Sequence, residues 1–302
     1  MGMRAFYCDH FVLPLPEGHR FPMAKYARLR ARVVDEGIIA PADLLVPEAA
    51  TDDELCQAHT PGYVSAISLG TISREAVRRI GFPWSPGMVE RSRRSVGATI
   101  AAARQALGDG TAVNLAGGTH HAFADRGEGF CVFNDVAVAA RVVRREGRIG
   151  RALVVDCDVH QGNGTASIFR DDETVFTLSI HGEKNYPFHK EVSDLDLTLP
   201  DGAGDVAYLD LLDTHLDAVL DRHGPDLVFY LAGADAYAGD RLGRLALTFD
   251  GLAARDALVL ERCRRRGIAV AVSMGGGYAH DIDDIVRIHA QTVREAGRWH
   301  SA

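Results

Sequence analysis

Apolar residues in this chain recur in two rhythms. Short runs rich in Val, Ile, Leu and Ala lie near Ala112–Leu115, Ala152–Asp156, Val175–Ile180, Leu227–Ala232 and Ile268–Met274, and these read as buried strands. Between and after them, apolar positions return at helical spacing over Met88–Leu107, Asp135–Glu146, Val206–Arg222, Gly251–Arg266 and Ile282–Ala296. Strand runs alternating with helical stretches predict an α/β fold, a three-layer α/β/α arrangement around a mainly parallel sheet. In such sheets, sites form outside the carboxyl ends of the strands. The residues that follow each run are therefore the ones to inspect.

Each run is followed by polar or glycine-rich sequence. The segments are Ala116-Gly117-Gly118-Thr119-His120-His121, Gln161-Gly162-Asn163-Gly164, Ser179-Ile180-His181-Gly182, Ala232-Gly233-Ala234-Asp235 and Met274-Gly275-Gly276-Gly277-Tyr278. Asp156, Asp158 and His160 stand at alternate positions, so an extended backbone puts them on one side. Two carboxylates and an imidazole suit a divalent metal with open coordination positions. Buried carboxylates with no cation would have to protonate or bear a large desolvation cost. Plainer readings exist for single residues. A His pair occurs in loops by chance, and a lone Asp such as Asp235 often caps a turn. A glycine-rich turn could cradle phosphate, but neither GxGxxG nor GxxxxGK[ST] occurs here.

Composition narrows the class. The 302 residues fit one α/β domain over 1–302, and the 47% apolar content allows a large core. With 33 Lys and Arg against 41 Asp and Glu, the formal charge is −8, which argues against a nucleic-acid partner and suits a cationic amine or a lysine-bearing protein. The cysteines Cys8, Cys56, Cys131, Cys157 and Cys263 form no CxxC pair, which disfavours a disulfide framework or a zinc knuckle. No apolar stretch approaches the ~18 residues of a membrane span, so a soluble cytoplasmic protein with no membrane partner is expected.

Five segments carry a family resemblance in order along the chain: Gly117–His121, Gly129–Asp135, Asp156–Gly164, Gly233–Asp235 with Asp240, and Gly275–Tyr278. They resemble the zinc-dependent histone deacetylase superfamily, with its acetylpolyamine amidohydrolase and acetoin-utilisation relatives. The Asp-x-Asp-x-His-Gln-Gly-Asn-Gly form and Leu242-Gly243-Arg244-Leu245 are similar to the class IV branch and its bacterial relatives. The resemblance implies the arginase/deacetylase fold and an amidohydrolase that removes acyl groups, acetyl or longer, from lysine side chains or related amines. It implies Asp158, His160 and Asp235 as ligands of one Zn²⁺, with Fe²⁺ as an alternative. It implies His121 as general base and then acid, His120 as the supporting imidazole, and Tyr278 as hydroxyl donor to the developing oxyanion. Asp156 would partner His120. Asn163 stands where many relatives carry a second Asp beside His121, which predicts a less basic His121. Asp156, Asp158, His160, Ser179 and the Ile180 carbonyl would hold K⁺. Gly129, Phe130 and Gly276 would wall the substrate channel, with Phe188 across it or serving only as lid packing.

Partners implied are an acyl-lysine protein or peptide, or an acylated small amine; a homo-oligomer stays open. Two other readings are kept. One is a ureohydrolase with two Mn²⁺, which needs further ligands at the strand ends. The other is a non-catalytic metal-stabilised binding module. Gly81-Phe82-Pro83-Trp84-Ser85-Pro86 lacks the acidic loop residue with which relatives hold a peptide backbone. Leu15–Lys25 reads as a solvated loop, or else as lining of the entrance or of a dimer surface.

Overall fold

A computed structural model describes residues 2–11 and 13–300. The strands are β1 (Ala5–Phe6), β2 (Leu44–Leu45), β3 (Thr111–Asn114), β4 (Ala152–Asp156), β5 (Val175–Gly182), β6 (Leu195–Leu199), β7 (Leu227–Leu231) and β8 (Ala269–Ser273). They form one eight-stranded sheet in the order β2-β1-β3-β8-β7-β4-β5-β6. Every pairing is parallel. The helices are α1 (Ala24–Asp35), α2 (Asp52–Leu55), α3 (Pro61–Leu69), α4 (Arg74–Ile80), α5 (Pro86–Asp109), α6 (Asp135–Arg145), α7 (Asn163–Phe169), α8 (Asp205–His223), α9 (Phe249–Arg265) and α10 (Ile282–Arg298).

Strands β3, β4, β7 and β8 are buried at every position, as continuous apolar runs in a parallel sheet require. Their side chains alternate between two cores. Leu153, Val155, Val228, Tyr230, Val270 and Val272 pack with Leu29 and Val33 of α1, Leu212 of α8, Val259 of α9 and Ile288 of α10. Val154, Phe229, Leu231 and Ala271 pack on the other face with Ile100 of α5, Val138 of α6 and Ile67 of α3. This is the three-layer α/β/α fold the periodicity predicts. None of the described helices is long and apolar enough to cross a membrane.

The predicted elements end within one or two residues of the observed ones. Elements missing from the prediction have physical reasons. β1 and β2 are two residues long, too short for any period to show. The outer strand β6 carries Asp196 and Thr198, which dilute its apolar signal. The solvated-loop reading of Leu15–Lys25 is corrected at its end. Lys25 is buried in the first turn of α1, and Phe21 packs on Phe82, Phe130 and Tyr278.

Candidate active site

Register places the site. Asn114 pairs with Ser273, Ser273 with Leu231, Leu231 with Asp156, and Asp156 with Ser179. Five strands thus stand level along this row, and the segments following β3, β4, β7 and β8 meet on one rim. Backbone bonds continue past the strand ends, from Cys157 N to Leu231 O (3.0 Å) and from Ala234 N to Gly276 O (2.9 Å).

Asp158, His160 and Asp235 each offer a ligand atom within 4.8 Å of the others, and all three are buried. Backbone donors aim the two carboxylates. Asp158 Oδ2 accepts from Gly276 N at 2.7 Å, and Asp235 Oδ1 accepts from Val159 N at 2.9 Å. His160 Nδ1 lies 2.9 Å from Asp158 Oδ1 and 3.2 Å from Asp235 Oδ2. Asp235 Oδ2 is buried with no well-formed hydrogen bond. Only glycine fits at 276, because a Cβ there would stand 1.9 Å from Asp235 Oδ2. Burial and the Asp158 carboxylate push the Asp235 pKa up to about 7. Burial opposes charge on His160, but the bond to Asp158 and the nearby Asp235 carboxylate outweigh it and raise its pKa to about 10. His160 Nδ1 and the two carboxylates face one another, an arrangement that a divalent cation would hold together. The donor set, two carboxylates and one imidazole, fits such an ion.

Asp156, marked by alternation with Asp158 and His160, stands outside the ligand cluster and partners His120, the role the family resemblance implies. Asp156 belongs to a different group. Its Oδ2 lies 2.6 Å from His120 Nδ1, and its Oδ1 accepts from Asp158 N at 3.1 Å.

His120 and His121 are adjacent, with ring centroids 4.1 Å apart, yet their surroundings drive them apart electrostatically. Burial opposes charge on His120, but the Asp156 and Asp158 carboxylates overcome it and lift its pKa to about 9. Burial, with the positive charge of His120 and His160, holds His121 well below the usual imidazole range. Its partner is a neutral amide, Asn163 Oδ1, at 2.7 Å from Nδ1. The Asn163 amide is itself oriented: Nδ2 donates to Glu128 Oε1 at 2.8 Å, which also accepts from the Tyr186 hydroxyl at 2.7 Å. A carboxylate only accepts, so Glu128 turns the amide oxygen toward His121. Nδ1 of His121 therefore carries the proton, and Nε2 is a free base. Glu128 and Tyr186 escaped the sequence reading. Glu128 adjoins the Gly129-Phe130-Cys131 motif, the one signal for it, and Tyr186 has none.

Tyr278 follows β8 and is held by its backbone. Its N–H donates to Asp240 Oδ2 at 2.6 Å, and its carbonyl accepts from Arg241 Nε at 2.8 Å. Burial pushes its phenol well above the usual range, so it remains a donor. His120, His121, Asp158, His160, Gly129, Phe130, Gly276 and Tyr278 line one cavity. Phe130 has φ +65°, which among the described non-glycine residues is found only there. A bulky side chain in that region marks a position held by its surroundings. Gly129 precedes it at φ +57°, and a Cβ there would lie 2.7 Å from His121 Cδ2.

Phe188 is 83% exposed and sits on Tyr186 at the outer mouth. The ring against His121 is Tyr186, at 4.9 Å between centroids. Ser179 lies beside Asp156 in the sheet, with its hydroxyl 2.9 Å from His181 Nδ1, and Ile180 is fully buried.

Comparison with known proteins follows this geometry. Residues 19–294 match the family described as the histone deacetylase domain. An uncharacterized protein of Picosynechococcus sp. is 49% identical, over 98% of this chain and 99% of that one. Histone deacetylase 2 of Arabidopsis thaliana is 31% identical, over 93% of this chain and 74% of that one. The crystal structure of an HDAC homolog from Aquifex aeolicus superposes with a TM-score of 0.86 at 25% identity, covering 99% of this chain and 84% of that one. The chain belongs to the histone deacetylase family.

Proposed function

We propose that this protein is a metal-dependent deacylase that hydrolyses the amide of an acyl-lysine side chain. The observation that carries this reading is that Asp158 and His160, clustered with the buried Asp235, converge with a neutral His121 and a protonated Tyr278 on one cavity. A divalent ion held by the first three, Zn²⁺ by family and Fe²⁺ as the alternative, would supply Lewis acidity and acidify a bound water. His121 Nε2 takes the proton of the attacking water as its oxygen bonds to the amide carbon. The imidazolium of His120, anchored on Asp156, steadies the same water. Tyr278 donates its hydroxyl to the negative charge growing on the carbonyl oxygen. His121 then returns the proton to the amine nitrogen as the C–N bond breaks, leaving a free amine and a carboxylate.

Two further features support details of this reading. Among the described residues a single metal-ligand cluster occurs, which leaves the two-Mn²⁺ ureohydrolase reading without a second set. The cavity beside the catalytic groups holds only about 60 Å³, room for a few water-sized groups. That size favours an acetyl group over a long fatty acyl chain. A K⁺ beside Asp156 and Ser179 would offset buried negative charge on the sheet side of the site. The test is hydrolysis of otherwise identical acetyl-, octanoyl- and myristoyl-lysine peptides by the metal-loaded protein. Acetyl should be turned over fastest and myristoyl slowest. Fastest turnover of the myristoyl peptide would refute the small-acyl assignment.

A further inference from the structure

The mouth of the pocket carries the opposite charge to the chain as a whole. The formal net charge is −8. Yet the outer basin, which shares His121, His160 and Tyr278 with the inner cavity, is lined by Arg20, Arg79, Lys184 and Arg244. Arg78 joins Arg20 and Arg79 in an adjoining depression. No described carboxylate lines either one. All five cations are exposed. Arg79 pairs with Glu75 at 3.2 Å and Arg244 with Asp201 at 2.8 Å, but neither carboxylate lines the basin. Exposed pairs of this kind are weak, and they leave guanidinium donors free. Arg20, Arg78 and Lys184 make no ion pair among the described residues. The carboxylate just inside, Glu128, is committed to Asn163 and Tyr186.

The cations come from separate places in the chain. Arg20 precedes α1, Arg78 and Arg79 end α4, Lys184 follows β5, and Arg244 lies between β7 and α9. They span two adjoining depressions: Arg20, Arg78 and Arg79 share one, and Lys184 and Arg244 line the other with Arg20 and Arg79. A small anion would meet one or two of them, whereas a polypeptide crossing the mouth would meet several. Phe188, 83% exposed on the same basin, offers such a chain an apolar contact.

We propose that the substrate is an acyl-lysine within a polypeptide segment rich in Asp and Glu, and that Arg20, Arg78, Arg79, Lys184 and Arg244 select for those carboxylates. The lysine part rests on the deacylase reading above; the acidic flanks rest on the rim alone. Low-dielectric walls lined by one sign of charge concentrate the opposite sign at an opening. A basic tail or a polyamine would be repelled at the same place. The net charge suggested a cationic partner, and the distribution of charge reverses that expectation.

The test is binding of labelled acetyl-lysine peptides of equal length with acidic, neutral or basic flanks, read by fluorescence anisotropy on the metal-loaded protein. The acidic peptide should bind about ten-fold tighter than the neutral one at low salt, since several exposed pairs add up. The basic peptide should bind weakest, and the differences should shrink at high salt. The combined variant Arg20→Ser, Arg78→Ser, Lys184→Ser should lose the preference; these side chains are exposed, and its circular dichroism spectrum checks the fold. Equal binding of the three peptides, tighter binding of the basic one, no binding of any, or an unchanged preference in the variant would overturn the proposal. Turnover is recorded in parallel. Selective binding of the acidic peptide with no hydrolysis of any peptide would sink the deacylase reading and leave the rim standing. Hydrolysis without flank preference would do the reverse.

Discussion

Two neighbouring imidazoles differ in protonation because of what each Nδ1 meets. His120 meets a carboxylate, Asp156, and keeps a positive charge; His121 meets an amide, Asn163, and stays neutral. Titratable groups pushed apart in this way separate the roles of electrostatic support and base. An Asn163→Asp variant should shift the acidic limb of the kcat/KM profile to higher pH by one unit or so, because a carboxylate within hydrogen-bond reach favours imidazolium. An acidic limb that stays in place would show that His121 is not the group that must be neutral. The polar residues that end buried runs were legible in the sequence, since an apolar strand makes any carboxylate or imidazole at its end conspicuous. Glu128 and Tyr186 were not. They reach Asn163 and His121 only through the folded path of the chain, and a lone Glu or Tyr in a loop looks like any solvated one.

At the level of elements, parallel register converts separate loops into one site. The level row from Asn114 to Ser179 puts the segment after β8 against the loops after β4 and β7. Gly276 is the tightest point of that contact. Gly276→Ala should weaken metal retention ten- to a hundred-fold, the range typical when groups supporting metal ligands are disturbed. Metal content after dialysis measures this, and a variant that holds metal as well as the parent would contradict the close approach. The periodicity exposed the central strands and long helices because they are buried and regular. It marked Asp156, Asp158 and His160 alike and could not tell a metal ligand from the partner of His120, because β4 ends at Asp156 and the partners come from other loops.

Across the whole molecule, stability and function both depend on buried polar groups kept in one protonation state. His59, 3% exposed, donates from Nδ1 to Phe123 O and accepts at Nε2 from Asn134 N, both at 2.9 Å. Protonation would cost it the acceptor. Burial lowers its pKa to about 4, against ~6.5 in the unfolded chain. The unfolded state therefore binds the extra proton between those values. Up to about 3 kcal/mol of stability, full above pH ~6.5, is lost as pH falls toward about 4. The urea midpoint of the wild type should drop over that window, and His59→Gln should drop less steeply. Equal slopes would show that His59 titrates alike in both states. Net charge is likewise a poor guide at this scale, since a sum over the surface hides a cationic mouth on an acidic chain.

The most direct measurement is hydrolysis of an acetyl-lysine peptide by protein carrying one equivalent of Zn²⁺, beside the chelated protein and Tyr278→Phe with equal metal content. Turnover should vanish on chelation and return with metal. It should fall by about 10²–10³ in kcat for Tyr278→Phe, the cost of losing one donor to the developing oxyanion. Hydrolysis that survives chelation, or a Tyr278→Phe variant as active as the parent, would contradict a metal-dependent deacylase built on these residues.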